Sequence, residues 1–291
     1  MLLPDTGAVV RAHRAAGRRF AAGGIHSFVR ETGAGEPVVC LHGVPASCFL
    51  YRKVLDELAA RGLCGVAFDL PGLGLADRPP DFDYTWTGLG RFCREAVDAL
   101  GLERFHLVVH DIGGPVGFEL AAAMPQRVMS LTLPNTIVAV DGFERPSVME
   151  PFAVRGVRRL WLRSLTGPSF LPLMYLVGVG DRRASPPAEL MAYVDLLKRH
   201  DGGEAFLKIM RGFERTHAKR DLYVSAVRDV PYPVQVLWGR DDPALTLEGA
   251  GEAVRRAVGL ERLDTVPGRH FLQEEHAPAI ADRVADVAAG A

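Results

Sequence analysis

Two kinds of hydrophobic pattern alternate along the chain. Short apolar runs bounded by Gly and Pro predict buried strands, and apolar residues recurring every three or four positions between them predict helices. The predicted strands lie in the stretches GIHSFVRETG, EPVVCLHG, CGVAFDLPG, FHLVVHD, VMSLTLPNT, PVQVLWGRDD and ERLDTVPG. Two of the clearest predicted helices lie in YRKVLDELAARG and TWTGLGRFCREAVDALG. Continuous apolar strands separated by helices indicate an α/β fold with a mostly parallel sheet flanked by helices on both faces.

The alternation stops between residues 139 and 228. The stretches AVRGVRRLWLRSL, PAELMAYVDLLKRH and GEAFLKIMRGFERTH predict helices, and no strand pattern occurs there. We therefore predict a helical cap at 139–228, inserted into a core domain formed by 1–138 and 229–291. Open parallel sheets bind ligands beyond the carboxyl ends of their strands, so the pocket is expected between cap and sheet.

Composition excludes several classes of function. The 291 residues are 48% hydrophobic, which is ample for a buried core, and the 34 basic and 35 acidic residues give a net charge of -1. An even mixture of charges predicts no binding to nucleic acid. No apolar run approaches the roughly 20 residues of a spanning helix, and the first residues do not resemble a secretory signal. The expectation is a cytoplasmic protein without a membrane partner, and the pattern leaves its oligomeric state open.

The four cysteines give no sign of a metal centre. Cys40, Cys48, Cys64 and Cys93 lie in the first third of the chain without a Cys-x-x-Cys pair, and no histidines cluster at metal-ligand spacing. They are expected to be reduced and mostly buried thiols, and no metal is predicted.

The stretch HLVVHDIGGPVG places Asp111 between a predicted strand and a predicted helix. Many hydrolases hold a serine nucleophile at such a turn, although an aspartate before two glycines is also a common turn residue. A carboxyl group with an ordinary pKa of about 3.9 is already ionised at neutral pH. An aspartate here could therefore attack an sp3 carbon directly, giving an ester that must then be hydrolysed.

Five motifs occur in register along the chain. CLHGVP, FDLPGLGLADRP, VVHDIGGPVG, VLWGRDDPALT and GRHFLQEE resemble the α/β-hydrolase fold in order and spacing, over nearly the whole chain apart from the cap. The aspartate at the turn resembles that of the haloalkane dehalogenase and epoxide hydrolase branch. This resemblance implies hydrolysis through an alkyl ester on Asp111, with no metal or organic cofactor.

The resemblance also implies a role for other residues. His270, in GRHFLQEE, would be the base that activates water for ester hydrolysis. Asp242 would orient His270, with Asp241 as the alternative. The backbone N–H groups of Val44 and Ile112 would form the oxyanion hole.

The chain departs from the dehalogenase pattern around the leaving group. Haloalkane dehalogenases hold the halide with a tryptophan directly after the nucleophile and with a second Asn or Trp, whereas this chain has Ile112 and Val44 at those positions. Trp161, in the predicted cap, is one candidate substitute. Fluoroacetate-type enzymes carry an arginine after the nucleophile, so Ile112 favours a small apolar or weakly polar organic substrate, with water as the second reactant.

Epoxide hydrolysis is the first alternative. Opening an epoxide requires an acid, and epoxide hydrolases present cap tyrosines, for which Tyr175, Tyr193 and Tyr223 are candidates; the first and last are predicted substrate contacts, as is Trp161. The motifs favour carbon–halogen cleavage over epoxide hydrolysis. A repurposed lyase or biosynthetic enzyme is a further alternative. A non-catalytic small-molecule binder is disfavoured, since a binder does not need a nucleophile opposite a base.

Overall fold

Eight strands form one sheet in the computed structural model, which describes residues 5–290. The strands are β1 (Arg18–Ala22), β2 (Ile25–Thr32), β3 (Pro37–Leu41), β4 (Cys64–Phe68), β5 (Phe105–Val109), β6 (Val128–Pro134), β7 (Val234–Gly239) and β8 (Asp264–Val266). Their order across the sheet is β1-β2-β4-β3-β5-β6-β7-β8. The pairs β1–β2 and β2–β4 are antiparallel and all others are parallel. The predicted α/β class, with its mostly parallel sheet, is confirmed.

Twelve α-helices surround the sheet within the described part of the chain. They are α1 (Thr6–Ala15), α2 (Arg52–Ala60), α3 (Trp86–Ala99), α4 (Gly113–Ala123), α5 (Arg158–Ser164), α6 (Gly167–Leu173), α7 (Pro187–Lys198), α8 (Glu204–Arg211), α9 (His217–Ser225), α10 (Glu252–Val258), α11 (Leu272–Glu275) and α12 (Ala277–Ala289). None of those in residues 5–290 combines the length and the apolar character needed to cross a bilayer.

The sequence pattern did not predict β1. Only two of its five residues are buried, because the strand lies at the edge of the sheet and pairs with β2 alone. The turn between the two strands is formed by Gly23 and Gly24, both at positive φ. An edge strand with an arginine pair at its start lacks the continuous apolar run by which the inner strands were identified.

The described chain between β6 and β7 contains helices α5–α9 and no strand, as the pattern indicated. The helix predicted over residues 203–217 is shorter in the structure than the pattern indicated. Helix α8 ends at Arg211 with Gly212 as its C-cap, and α9 begins after Thr216, whose side chain accepts a hydrogen bond from the backbone N–H of Lys219 at 3.2 Å. The division into a core domain and a cap at 139–228 stays a prediction.

The start of α4 lies unusually close to the sheet, and the Gly113–Gly114 pair explains how. A Cβ atom on Gly113 would lie 2.4 Å from the carbonyl oxygen of Leu41, and one on Gly114 would lie 1.9 Å from Oγ1 of Thr136. Only glycine permits both contacts. The two glycines therefore fix the turn after β5 against the ends of the neighbouring strands.

The four cysteines are free, and Cys40, Cys48 and Cys93 are buried while Cys64 is partly exposed. This matches the thiols expected from the sequence.

Candidate active site

Asp111 occupies the sharp turn between β5 and α4. Its φ of 52° lies in the left-handed region, which is uncommon for a residue with a side chain. Backbone contacts on both sides hold it there: its N–H donates to the carbonyl oxygen of Asn135 at 2.9 Å, and its own carbonyl oxygen accepts from Oγ1 of Thr136 at 2.6 Å. A strained conformation fixed by its neighbours is typical of functional positions.

The Asp111 carboxylate is 9% exposed and receives a backbone hydrogen bond. The N–H of Val44 donates to its Oδ2 at 2.8 Å. Burial raises the pKa of Asp111 to about 6, although the charge of His270 and the backbone N–H groups of Val44 and Ile112 act to lower it. The two N–H groups predicted to form the oxyanion hole therefore both act on this carboxylate.

His270 follows β8 and lies beside Asp242, which follows β7. Nδ1 of His270 donates to Oδ2 of Asp242 at 2.9 Å, since the carboxylate can only accept. This leaves Nε2 free to take a proton. Asp241, the alternative partner, has an exposed side chain, so the structure selects Asp242 as the neighbour of His270.

Opposing effects act on the imidazole of His270. Burial lowers its pKa, but the charge and hydrogen bond of Asp242 and the charge of Asp111 outweigh burial and raise the pKa above its ordinary value. The ring of His110 packs against it with 4.7 Å between the ring centroids. His110 is uncharged, because burial lowers its pKa well below the ordinary value.

The sequence did not predict how Asn135 supports this arrangement. Its Nδ2 donates to Oδ2 of Asp242 at 2.8 Å, the oxygen that also accepts from His270. The other oxygen, Oδ1, accepts from the backbone N–H groups of Ala244 and Leu245 at 2.7 and 3.0 Å. Four donors thus hold the Asp242 carboxylate in one orientation. The role of Asn135 as a donor depends on Asp242, which lies 107 residues later in the chain.

A cavity opens above Asp111 and His270. Of the nineteen residues that line it, sixteen are apolar or glycine, and only Asp111, His270 and Arg145 carry ionisable side chains. Its volume is about 70 Å³, measured as the space open to the centre of a water-sized sphere. One water molecule needs about 10–15 Å³ on this measure, so the space suits a small organic molecule. Arg145 had no motif or spacing to identify it in the sequence.

The three predicted substrate contacts do not line this cavity. Trp161 is 46% exposed on the surface of α5. Tyr175 packs beneath the guanidinium of Arg182, and Tyr223 is fully buried with its hydroxyl donating to Glu119 at 3.0 Å. The cavity lining therefore gives no support to these three substrate contacts, which stay predictions.

Tyr193, the remaining tyrosine candidate, also lies outside the cavity lining. Its hydroxyl donates to Glu274 at 2.6 Å, and Glu274 forms a buried ion pair with Arg52 at 2.7 Å. Burial acts to raise the pKa of Glu274, but the charge and hydrogen bond of Arg52, the charge of Lys53 and the hydrogen bond of Ser185 together outweigh burial and lower the pKa to about 2. This network joins α7 to α11, the short helix directly after His270.

One buried group in the described chain has three potential metal ligands, His13, Cys48 and Asp69. The Asp69 carboxylate already accepts from the backbone N–H groups of Cys48 and Leu75, at 2.7 and 2.6 Å. Burial lowers the pKa of His13 to about 4 and raises that of Cys48 well above its ordinary value. The group is a neutral imidazole and a protonated thiol beside a hydrogen-bonded carboxylate, and none of the three lines the cavity.

Comparison with known proteins gives consistent matches over most of the chain. The model of the alpha/beta hydrolase family matches residues 38–283. Haloalkane dehalogenase 2 of Mycobacterium tuberculosis is 30% identical over 275 residues, covering 90% of this chain and 89% of the dehalogenase. An uncharacterized hydrolase of Saccharomyces cerevisiae is 26% identical over 274 residues, covering 90% and 92%. The crystal structure of an epoxide hydrolase from Vigna radiata superposes with a TM-score of 0.76 at 21% identity, covering 94% and 98%.

Proposed function

Because the chain belongs to the alpha/beta hydrolase family and is a hydrolase of its haloalkane dehalogenase and epoxide hydrolase branch, we propose that it cleaves carbon–halogen bonds through an ester on Asp111. The observation that carries this proposal is the buried Asp111 carboxylate, which faces an apolar cavity with His270. A carboxylate nucleophile of this kind suits an sp3 carbon that bears a leaving group.

In the first step, Asp111 displaces the halide. The N–H of Val44 holds Oδ2, which leaves Oδ1 to attack the carbon. The new C–O bond forms as the C–X bond breaks, and the halide leaves with the bonding electrons. The apolar lining favours this step, because a carboxylate without a water shell is a stronger nucleophile.

In the second step, water hydrolyses the ester. Nε2 of His270 takes a proton from the water, whose oxygen attacks the Asp111 carboxyl carbon, and Asp242 stabilises the resulting imidazolium. The negative charge develops on Oδ2, where the Val44 N–H already lies at 2.8 Å, within the range of an oxyanion donor. The bond between the Asp111 carboxyl carbon and the alkoxy oxygen then breaks, the departing alkoxide takes the proton from His270 to give the alcohol, and the Asp111 carboxyl group is restored. The net reaction gives an alcohol, a halide ion and a proton.

The cavity lining favours a halide over an epoxide. Epoxide opening produces an alkoxide that needs a proton donor, whereas a halide leaves as a stable ion. No tyrosine occurs among the described residues that line the cavity. The tyrosines considered for this role, Tyr175, Tyr193 and Tyr223, all lie elsewhere.

A single turnover in oxygen-18 water tests the proposal. With enzyme in excess over a short bromoalkane, the alcohol oxygen should come from Asp111 and remain oxygen-16, while the label should enter the Asp111 carboxylate. Mass spectrometry of the alcohol and of the Asp111 peptide measures both. Oxygen-18 in the alcohol of this first turnover would show direct attack by water and would exclude the ester mechanism.

We expect the rates of both steps to increase with pH, with midpoints that are set by different groups. Asp111 attacks only when ionised, so alkylation should increase as the pH rises through about 6, the raised pKa of this carboxyl. His270 must be neutral to accept a proton, so ester hydrolysis should also increase with pH, with its midpoint set by a raised histidine pKa. Ester formation removes the Asp111 charge and so removes one cause of that rise. Stopped-flow measurement of halide release gives the pH dependence of alkylation, and measurement of ester decay gives that of hydrolysis. An alkylation rate that stays at its full value down to pH about 4, as for an ordinary carboxyl, would contradict this account.

A further inference from the structure

Arg145 is the one positively charged residue, apart from His270, among the described residues that line the cavity. It lies in the segment after β6, with its side chain 7% exposed. Burying a guanidinium in apolar surroundings is costly unless a negative charge accompanies it. Its presence in a cavity that is apolar apart from Asp111 and His270 therefore needs an explanation.

The contacts of Arg145 compensate its charge only in part. Nη2 donates to the carbonyl oxygen of Met210 at 2.8 Å, and the guanidinium lies over the ring of Phe213 at 4.7 Å. Within residues 5–290, the one carboxylate that pairs with it is that of Glu150, which is half exposed and 3.4 Å away. Nε is buried without a hydrogen-bond partner.

The charge of Arg145 would be compensated by a negative charge in the cavity, which either the departing halide or an anionic substrate can supply. Resting on the proposed function, we propose that Arg145 binds a carboxylate at the far end of the substrate, so that this enzyme acts on short halogenated carboxylic acids. The apolar lining contacts the carbon chain, and the small volume restricts its length. Asp111 and Arg145 then align the carbon chain between the nucleophile and a fixed cation. The sequence predicted an apolar or weakly polar substrate on the basis of Ile112. The proposed substrate differs in carrying a carboxylate at one end.

The test compares each acid with its neutral counterpart. Chloroacetate, 3-chloropropanoate and 4-chlorobutanoate are each paired with the chloroalkane in which an ethyl group replaces the carboxylate, and kcat/KM is measured by chloride release. Arg145→Met removes the charge while keeping an apolar side chain of similar length. Arg145→Lys keeps the charge, and Arg155→Met removes an exposed arginine of the same segment as a matched control.

The wild-type enzyme should have a higher kcat/KM for the acid than for the neutral chloroalkane in at least one pair. Arg145→Met should reduce that preference at least tenfold, which corresponds to about 1.4 kcal/mol, because the hydrogen bond between two charged groups is lost. Arg145→Lys should restore part of it, and Arg155→Met should retain all of it. Equal loss on acids and neutral chloroalkanes would instead mean that Arg145 acts on the departing halide or on folding, and would overturn the proposal.

A binding measurement keeps this inference separate from the chemistry. Butanoate, which has no leaving group, should bind to the wild-type protein and to Arg155→Met, and at least about tenfold more weakly to Arg145→Met, as followed by ligand-observed NMR. If no halogenated substrate alkylates Asp111 but butanoate binding depends on Arg145, the proposed function fails and the anion site stands. If Asp111 is alkylated but butanoate binds all variants alike, the anion site fails alone.

Discussion

Replacing Asp111 by alanine is expected to reduce halide release from bromoalkanes at least about 10⁴-fold, because no other group in the cavity can form the ester. Among the described residues that line the cavity, the remaining base is His270, which is held through Nδ1 by Asp242 and acts on water. Steady-state halide release measures the loss. Removing a buried carboxylate with a raised pKa should leave the protein folded, which circular dichroism checks.

Asp241→Ala is the matched control for this variant. Its side chain is exposed beside the buried Asp242, so its removal should leave turnover within about twofold of the wild type. A folded Asp111→Ala enzyme that retains more than about a hundredth of wild-type activity would contradict the role of Asp111 as nucleophile.

Replacing His270 by phenylalanine should separate the two steps. Turnover is expected to fall at least about 10³-fold, because water then lacks its base, while the first displacement still occurs. Rapid mixing should therefore show a burst of about one halide per protein molecule and then almost none. Phenylalanine also removes the charge that lowers the pKa of Asp111, so this burst should be slower below neutral pH than in the wild type.

The exposed His217 provides the control, since His217→Phe removes an imidazole that does not line the cavity and should keep steady turnover. A His270→Phe variant that releases halide continuously at the wild-type rate would show that hydrolysis of the ester does not depend on His270.

The fold could be predicted from local features of the chain. Buried parallel strands are continuous apolar runs, and the turn after β5 is marked by Asp111 and two glycines whose Cβ atoms would collide with the sheet. The pairing of His270 with Asp242 follows from the positions of both residues after neighbouring strands of the sheet. Each of these features depends on short sequence patterns or on the strand directly before a residue, so it can be predicted from the sequence.

The contents of the cavity depend on contacts between distant segments and could not be predicted in this way. Arg145 enters the lining through contacts with Met210 and Phe213, some 65 residues later in the chain. Asn135 follows β6 and contacts Asp242, which follows the adjacent strand β7 and lies 107 residues later in the chain. Tyr223, by contrast, has the chemistry of an acid, but its hydroxyl is buried against Glu119. Residue type alone does not say which face of a helix meets the cavity.

The most direct test of the ester mechanism is intact-protein mass spectrometry of the His270→Phe variant after incubation with short bromoalkanes and, separately, with epoxides. Since the ester cannot be hydrolysed, we expect a gain equal to the alkyl group without the halogen, located on the Asp111 peptide after digestion. A gain equal to a whole epoxide would instead identify the chain as an epoxide hydrolase that uses the same nucleophile. An unmodified Asp111 in this variant, with a wild-type enzyme that turns over the same compounds, would contradict the covalent mechanism.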